Sequence, residues 1–279
     1  MKRFRKIYVE ISNKCNLSCA FCPGTRRGNC SMTESQFASL LPKLQPYTDH
    51  LYFHILGEPL CHAKLGRFLE ISQAYGFKVI LTTNGTLLPQ RRELLLGSPA
   101  LHKIHISLHA FEANDLKTPF ADYLNGCIAF GQAAEGKIIV VYRLWNEGGQ
   151  DAKNQEILEA LHQAFPGTWI PGKRGTALGN RIFLEPGEKF DWPDLSAPSR
   201  PGPFFCYGLR DQLGILADGT VVPCCLDHEG DIPLGNAFEE DLAHILASPR
   251  AAAIYEGFSQ GRAAEELCRR CGYAERFVK

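Results

Sequence analysis

From Ile7 to Leu184 short apolar runs take turns with stretches of helical period, and that alternation restricts the chain to a parallel sheet with helices between its strands. The runs are Ile7 to Ile11, Leu51 to Leu56, Val79 to Leu81, Ile104 to Leu108, Ile138 to Leu144 and Ile182 to Leu184. Between the first two, Thr33 and Gln36 form a capping box ahead of Phe37, Leu40, Leu41 and Leu44, which recur at i, i+3, i+4 and i+7. Leu65, Phe68 and Leu69 mark a second helix that Gly76 can close, and Leu87 to Leu96 and Tyr123 to Ala134 mark two more. Asp151 is expected to cap a helix carrying Ile157, Leu158, Leu161 and Phe165, which Pro166 ends. Each strand-helix-strand step implies a right-handed crossover. Six strands rather than eight predict an α/β fold of the partial (β/α)6 barrel type, with a doubly wound sheet as the alternative that pattern alone leaves open.

The 279 residues are enough for one barrel-sized domain and a small appendix. Thirty Lys and Arg balance thirty Asp and Glu, which argues against a nucleic-acid or anionic-membrane partner held mainly by charge. The N-terminus carries charge without an apolar core, and no run approaches the roughly 18 apolar residues of a membrane span, so a cytoplasmic location is expected. Eleven cysteines cannot all pair, and in a reducing compartment clustered thiols read as metal ligands. They gather near the start (Cys15, Cys19, Cys22) and near the end (Cys206, Cys224, Cys225, Cys268, Cys271), while Cys30, Cys61 and Cys127 read as small buried hydrophobes.

The first group sits in C-x3-C-x2-C spacing directly after the first strand. Three thiolates can cap three corners of one iron-sulfur cube and leave one iron open, whereas structural zinc sites usually pair two C-x2-C clips. Active sites of parallel α/β folds lie at the carboxyl ends of strands, and the other strand ends are polar. After the second comes Leu56-Gly57-Glu58-Pro59, where Gly57 permits close backbone approach and Glu58 is expected to present a carboxylate at the barrel mouth. Thr82-Thr83-Asn84-Gly85-Thr86 follows the third, Ser107 and His109 end the fourth, and Arg143 and Asn146 end the fifth. Any of these alone reads as a capping or solvated group; four such ends around one cysteine loop read as a site.

The cysteine spacing, Phe21 before its third thiol, and the Leu-Gly-Glu-Pro run together resemble the radical S-adenosylmethionine (SAM) superfamily, over residues 6 to 185. The run departs from that family's Gly-Gly-Glu-Pro at Leu56. The resemblance implies a four-iron, four-sulfur cluster on Cys15, Cys19 and Cys22, with the methionine moiety of SAM on the open iron. It implies that the Gly57 and Glu58 region meets the methionine ammonium, that Thr83, Asn84, Ser107 and Arg143 bind ribose and carboxylate, and that Phe21 lies beside the adenine. The implied chemistry is hydrogen abstraction from a substrate by a 5'-deoxyadenosyl radical.

From Asp191 to Pro203 the chain turns proline-rich, which marks a linker between a barrel domain at 1–190 and a small domain at 204–279. Leu213 to Leu216 and Thr220 to Pro223 flank Ala217-Asp218-Gly219, a hairpin signal in which Asp-Gly is expected to supply the positive φ angles. Four cysteines from a hairpin and a C-x2-C clip can enclose zinc or an iron-sulfur cube, and spacing alone does not separate the two. Cys206, Cys224, Cys268 and Cys271 resemble the auxiliary-cluster domain SPASM in its shortened twitch form, most like the butirosin-pathway alcohol dehydrogenase group, which implies a second four-iron, four-sulfur cluster. Cys225 is left to replace Cys224, to pack, or to face the site as a donor. A second cluster implies net oxidation or bond formation on a peptide or small-molecule substrate, with flavodoxin or ferredoxin as electron donor. The alternative is a non-catalytic iron-sulfur or zinc protein, an electron carrier or redox sensor on the same barrel.

Overall fold

The computed structural model describes residues 4–173, 175–200 and 202–277; Pro201 of the proline-rich segment and both chain ends lie outside the described residues. Through residue 164 strands and helices alternate as β1 (Lys6–Val9), α1 (Glu34–Leu44), β2 (His50–Tyr52), α2 (Leu65–Ala74), β3 (Lys78–Thr83), α3 (Leu88–Leu96), β4 (Leu101–Ser107), α4 (Phe120–Ala134), β5 (Ile139–Glu147) and α5 (Asn154–Ala164). There follow β6 (Ile170–Gly172), β7 (Gly175–Gly179), β8 (Ile182–Glu188), β9 (Gln212–Ile215), β10 (Thr220–Val222), β11 (Gly235–Asn236), α6 (Leu242–Leu246), α7 (Pro249–Ser259) and α8 (Glu266–Arg269).

One sheet of eleven strands runs in the order β11-β10-β9-β1-β2-β3-β4-β5-β8-β7-β6. From β1 through β5 to β8 every pair is parallel and the strands follow chain order without reversal, so the winding is that of a six-stranded partial barrel and not of a doubly wound sheet. The capping box forms as the sequence predicts, with the Gln36 N–H donating to Thr33 Oγ1 and the Thr33 N–H to Gln36 Oε1. Gly76, at φ +76°, follows the end of α2.

Three local expectations change. The run Leu51 to Leu56 gives only a three-residue strand, because Ile55 and Leu56 leave the ladder and the Leu56 N–H turns to Glu10. Asp151 does not cap α5; Glu112 takes the N–H groups of Ala152 and Lys153 from across the fold instead. In the β9–β10 turn only Gly219 has positive φ, at +91°, and a side chain there would strike Asn236 and Phe238. The hairpin itself is as expected, but β9 lies parallel to β1, with Ile7 opposite Leu213 and Val9 opposite Ile215, so it extends the barrel sheet. Antiparallel β6 and β7 close the other edge, a pair the glycine-rich segment 167–179 did not signal.

The two faces of the barrel sheet differ. Ile7, Val9, Val79, Leu81, Ile104, Ile106, Val140, Tyr142 and Ile182 face the helices and are sealed from solvent. The alternate positions fall on the concave face, which is mixed: Ile80, Val141 and Phe183 keep its floor apolar, while Lys6, Tyr8, Tyr52, Thr82, His105, Arg143, Trp145 and Glu185 bring polar groups, most of them only half-buried. A packed barrel interior would be apolar throughout; this one carries half-buried polar groups toward the carboxyl ends of its strands.

Candidate active site

The cysteine loop leaves the end of β1 and is closed at its base by Asn13, whose side chain donates to the Gly28 carbonyl (2.9 Å) and accepts from the Cys30 N–H (2.8 Å). Cys15 and Cys22 are exposed and Cys19 is half-buried. The Leu17 N–H points at Cys15 Sγ (3.4 Å) and Asn114 Nδ2 at Cys19 Sγ (3.1 Å), donors that favour thiolates. Burial nevertheless pushes Cys15 up to about 11, so binding a cationic iron centre must displace its proton. Asn114, which also fixes the Ser18 N–H (3.0 Å), sits in an unremarkable loop after β4, and nothing in its sequence context marks it. Of the lone cysteines Cys127 is buried as expected, whereas Cys30 and Cys61 are half-buried.

Gly57 has φ +77°, and a Cβ there would meet the Ser12 carbonyl oxygen at 2.3 Å and the Lys14 carbonyl oxygen at 2.9 Å, so only glycine lets the strand-end motif lie under the cysteine loop. Glu58 does not present its carboxylate at the mouth. It is 1% exposed, caps the short turn Pro59–Cys61, and accepts the N–H groups of Leu60 (2.9 Å) and Asn84 (2.7 Å). The reason is local: Pro59 starts the turn and folds the acid back over the donors. Burial raises its pKa to about 7 against those hydrogen bonds. Thr83 is likewise turned from the concave face: buried, it accepts from the Gly85 N–H (3.1 Å) and bonds Glu58.

Asn84 does reach the loop, with Nδ2 donating to Asn16 Oδ1 (3.0 Å) and lying 3.9 Å from Cys15 Sγ. Phe21 is half out in solvent with its ring 5.0 Å from that of His109, whose imidazole burial holds neutral at about 4. Ser107 is half-buried at the end of β4. Arg143 pairs with Glu185 (3.0 Å) and stacks 4.4 Å over Trp145. The structure therefore gathers Cys15, Cys19, Gly57, Asn84 and Phe21 around one loop, leaves Ser107 and Arg143 along the neighbouring concave face, and uses Glu58 and Thr83 as scaffold.

Deeper on that face the Thr82 hydroxyl lies between His54 Nε2 (3.2 Å) and His105 Nδ1 (3.4 Å). Burial, with Arg143 next, holds His54 down to about 3 and His105 well below its usual value, so both are neutral. His54 Nδ1 is buried with no hydrogen-bond partner among the described residues.

The second cysteine group gathers too. Burial pushes Cys206 up to about 11 and Cys224 well above its ordinary value, and the next influences on Cys224 are Cys206, Cys225, Cys268 and Cys271. Cys268 and Cys271 are joined by a turn in which the Cys271 N–H faces the Cys268 carbonyl. Cys225 points elsewhere: it hydrogen-bonds Tyr8 and packs with Tyr8, Ile55, Leu216 and Val222. Among the described residues no three Cys, His, Asp or Glu side chains close on a single metal ion. Seven thiols in a set of three and a set of four fit two iron-sulfur clusters in donor chemistry.

The two regions meet at Glu10, which is fully buried. Its carboxylate takes Arg27 of the cysteine loop in a fork (2.7 and 2.8 Å), the Leu56 N–H (3.3 Å) and the Ala217 N–H of the β9–β10 turn (3.0 Å). Arg26 reaches Glu229 in the same sense. No signal short of the fold could have named these partners. No helix among the described residues is long and apolar enough to cross a membrane.

Comparison with known proteins places the chain in a family. S-adenosyl-L-methionine-dependent 2-deoxy-scyllo-inosamine dehydrogenase of Niallia circulans is 28% identical over 282 residues, covering 97% of this chain and 93% of the relative. The structure of BtrN in complex with AdoMet and 2-DOIA matches with a TM-score of 0.64 at 19% identity, over 97% of this chain and 94% of that one. Streptococcus suis SuiB matches with a TM-score of 0.67 at 14% identity, over 100% and 75%. At such identities the two structures speak to the fold alone. An iron-sulfur cluster-binding domain, SPASM, matches residues 206–272, and the Radical SAM superfamily model matches residues 9–171. The chain belongs to the radical SAM superfamily, and its cofactors are SAM, a four-iron, four-sulfur cluster and the iron-sulfur centre of a SPASM domain.

Proposed function

We propose that the protein dehydrogenates a small polar molecule held against the concave face of the barrel. The supporting observation is the difference between the two faces of the sheet: the helix side is sealed and apolar, whereas the concave side, toward the strands' carboxyl ends, sets hydroxyls, neutral imidazoles and one ion pair among apolar and aromatic groups and is half-open there. Cys15, Cys19 and Cys22 are proposed as ligands of the SAM-binding cluster, and Cys206, Cys224, Cys268 and Cys271 as ligands of one auxiliary cluster. When bound, these groups supply hydrogen-atom abstraction and an acceptor for the second electron.

The chain's own residues position and shield. Asn84 and the Gly57 backbone border the loop where the methionine end of SAM would lie, Phe21 offers an aromatic face, and Ser107 and Arg143 line the way inward. Neutral imidazoles near this face orient a substrate hydroxyl without a charge to desolvate. The name of the Niallia circulans relative favours an alcohol carbon as the site of oxidation. We also propose the division into a barrel at 1–190, a linker at 191–203 and an auxiliary-cluster region at 204–279, with flavodoxin or ferredoxin as electron donor.

The test is anaerobic turnover of reconstituted protein with SAM, reductant and a panel of polyols, sugar acids and short peptides. The proposal expects 5'-deoxyadenosine formed in step with a small molecule that has lost two hydrogens. If only peptides stimulate cleavage, the small-molecule assignment fails.

A further inference from the structure

The concave face is not neutral. Lys6 Nζ stands 5.1 Å from the centre of the Tyr8 ring and 5.4 Å from that of Tyr52, with no carboxylate paired to it among the described residues. After burial the largest charge influence on Lys6 is the Cys225 thiol, and Asp211, the carboxylate that also acts on it, is paired with Arg5. Arg276 lies among Trp145, Phe190 and Tyr273 at 5.7, 5.5 and 5.0 Å, donates to the Glu188 carbonyl, and likewise has no carboxylate partner among the described residues. Arg143 shares Trp145 with Arg276 and acts on Lys6, and Glu185 alone is paired with it. Glu10 shares the strand face of Lys6 and Tyr8 but is consumed by Arg27, and His54 and His105 are neutral. Three cations therefore share this side with one acid, Glu185, which is already paired with Arg143.

A cation withdrawn from water without a counter-charge is costly, and aromatic rings soften that cost without cancelling it. An anionic ligand removes it. Resting on the proposal that this face holds the substrate, we propose that the substrate carries an anionic group, a carboxylate or a phosphate, received by Lys6. The Lys6 ammonium supplies three donors and a point charge, and the two tyrosine rings fix its direction.

The competing account is that these cations offset the thiolates of the auxiliary cluster, since both Lys6 and Arg143 act on the neighbouring Cys225. Equilibrium dialysis of the reconstituted protein at low salt separates the two, with radiolabelled inorganic phosphate in one arm and acetate in the other. The expected result is one saturable site per chain for at least one anion, weakened tenfold or more in Lys6→Met and retained within about threefold in Lys6→Arg, the preferred arm telling phosphate from carboxylate. Unchanged circular dichroism and iron content in Lys6→Met secure the comparison. The proposal is overturned if neither anion binds saturably, or if Lys6→Met binds as wild type does while the auxiliary midpoint potential moves. Because no turnover is read, failure of the dehydrogenase proposal would show separately, as absence of small-molecule oxidation in the panel above.

Discussion

The two cysteine groups are built to opposite plans. The first hangs on a loop at a strand end, with two of three thiols exposed and amide donors aimed at sulfur. The second is half-buried, its four thiols drawn from a segment before the hairpin, the hairpin's end and a terminal turn, and burial first, with neighbouring thiols next, raises the pKa of Cys224 and Cys268. An open, donor-rich loop suits a centre that must accept an external ligand, while a half-buried four-thiol set suits one that exchanges only electrons.

The largest effect that sharpens this contrast is removal of the loop thiols. Cys15, Cys19 and Cys22 changed together to alanine should abolish SAM cleavage and lower bound iron from about eight to about four per chain. Iron analysis and 5'-deoxyadenosine assay check it, and a variant that keeps all its iron breaks the two-plan picture. Next comes Cys268→Ala with Cys271→Ala, which should spare SAM cleavage under dithionite yet stop substrate oxidation; a folded variant making normal product would leave the second centre merely structural.

Glu10→Gln comes third. It strands the Arg27 guanidinium inside the protein and should cost about 3–5 kcal/mol, read by denaturant unfolding of the apoprotein. A smaller loss, about 1–3 kcal/mol, is expected for Glu58→Gln, because one backbone N–H loses its acceptor. Here pH adds a signature. The folded pKa of Glu58, about 7, lies above its ordinary 4.5, so the folded form holds the proton more tightly than the unfolded chain. Its contribution to stability is complete below about 4.5 and fades as pH rises through about 7. Wild type should therefore lose more stability between pH 5 and 8 than Glu58→Gln does, and parallel curves would contradict the assignment. The smallest effect is that of Asn114→Ala, which removes a donor to Cys19 and should make the loop cluster harder to reduce by tens of millivolts while the auxiliary potential stays put.

What the sequence made legible was local. The capping box at Thr33 and Gln36, the helical period of Phe37 to Leu44 and the alternation of β1, β3, β4 and β5 all express interactions among neighbours in sequence. Asp151 failed as a cap because Glu112, distant in sequence, offered two oxygens to the same N–H groups. Glu58 read as an exposed acid because a Glu before Pro gives no hint of which amides will cover it. The cysteine sets were legible from spacing and resemblance, but Asn114, His54 and Glu10 act through partners that only the fold brings near.

The parallel pairing of β9 with β1 has a consequence for how the chain is made. Lys6 finds its partner Gln212 only once the growing chain has passed residue 212, and until then β1 presents a bare edge on that side. Contacts of such long separation form late and leave intermediates prone to association. The Ala217 amide that completes the shell of Glu10, and so steadies the Arg27 end of the cysteine loop, arrives later still. A fragment ending within the proline-rich segment would therefore lack one flank of its first strand, and the loop that carries Cys15, Cys19 and Cys22 reaches its final anchoring only once Ala217 is in place.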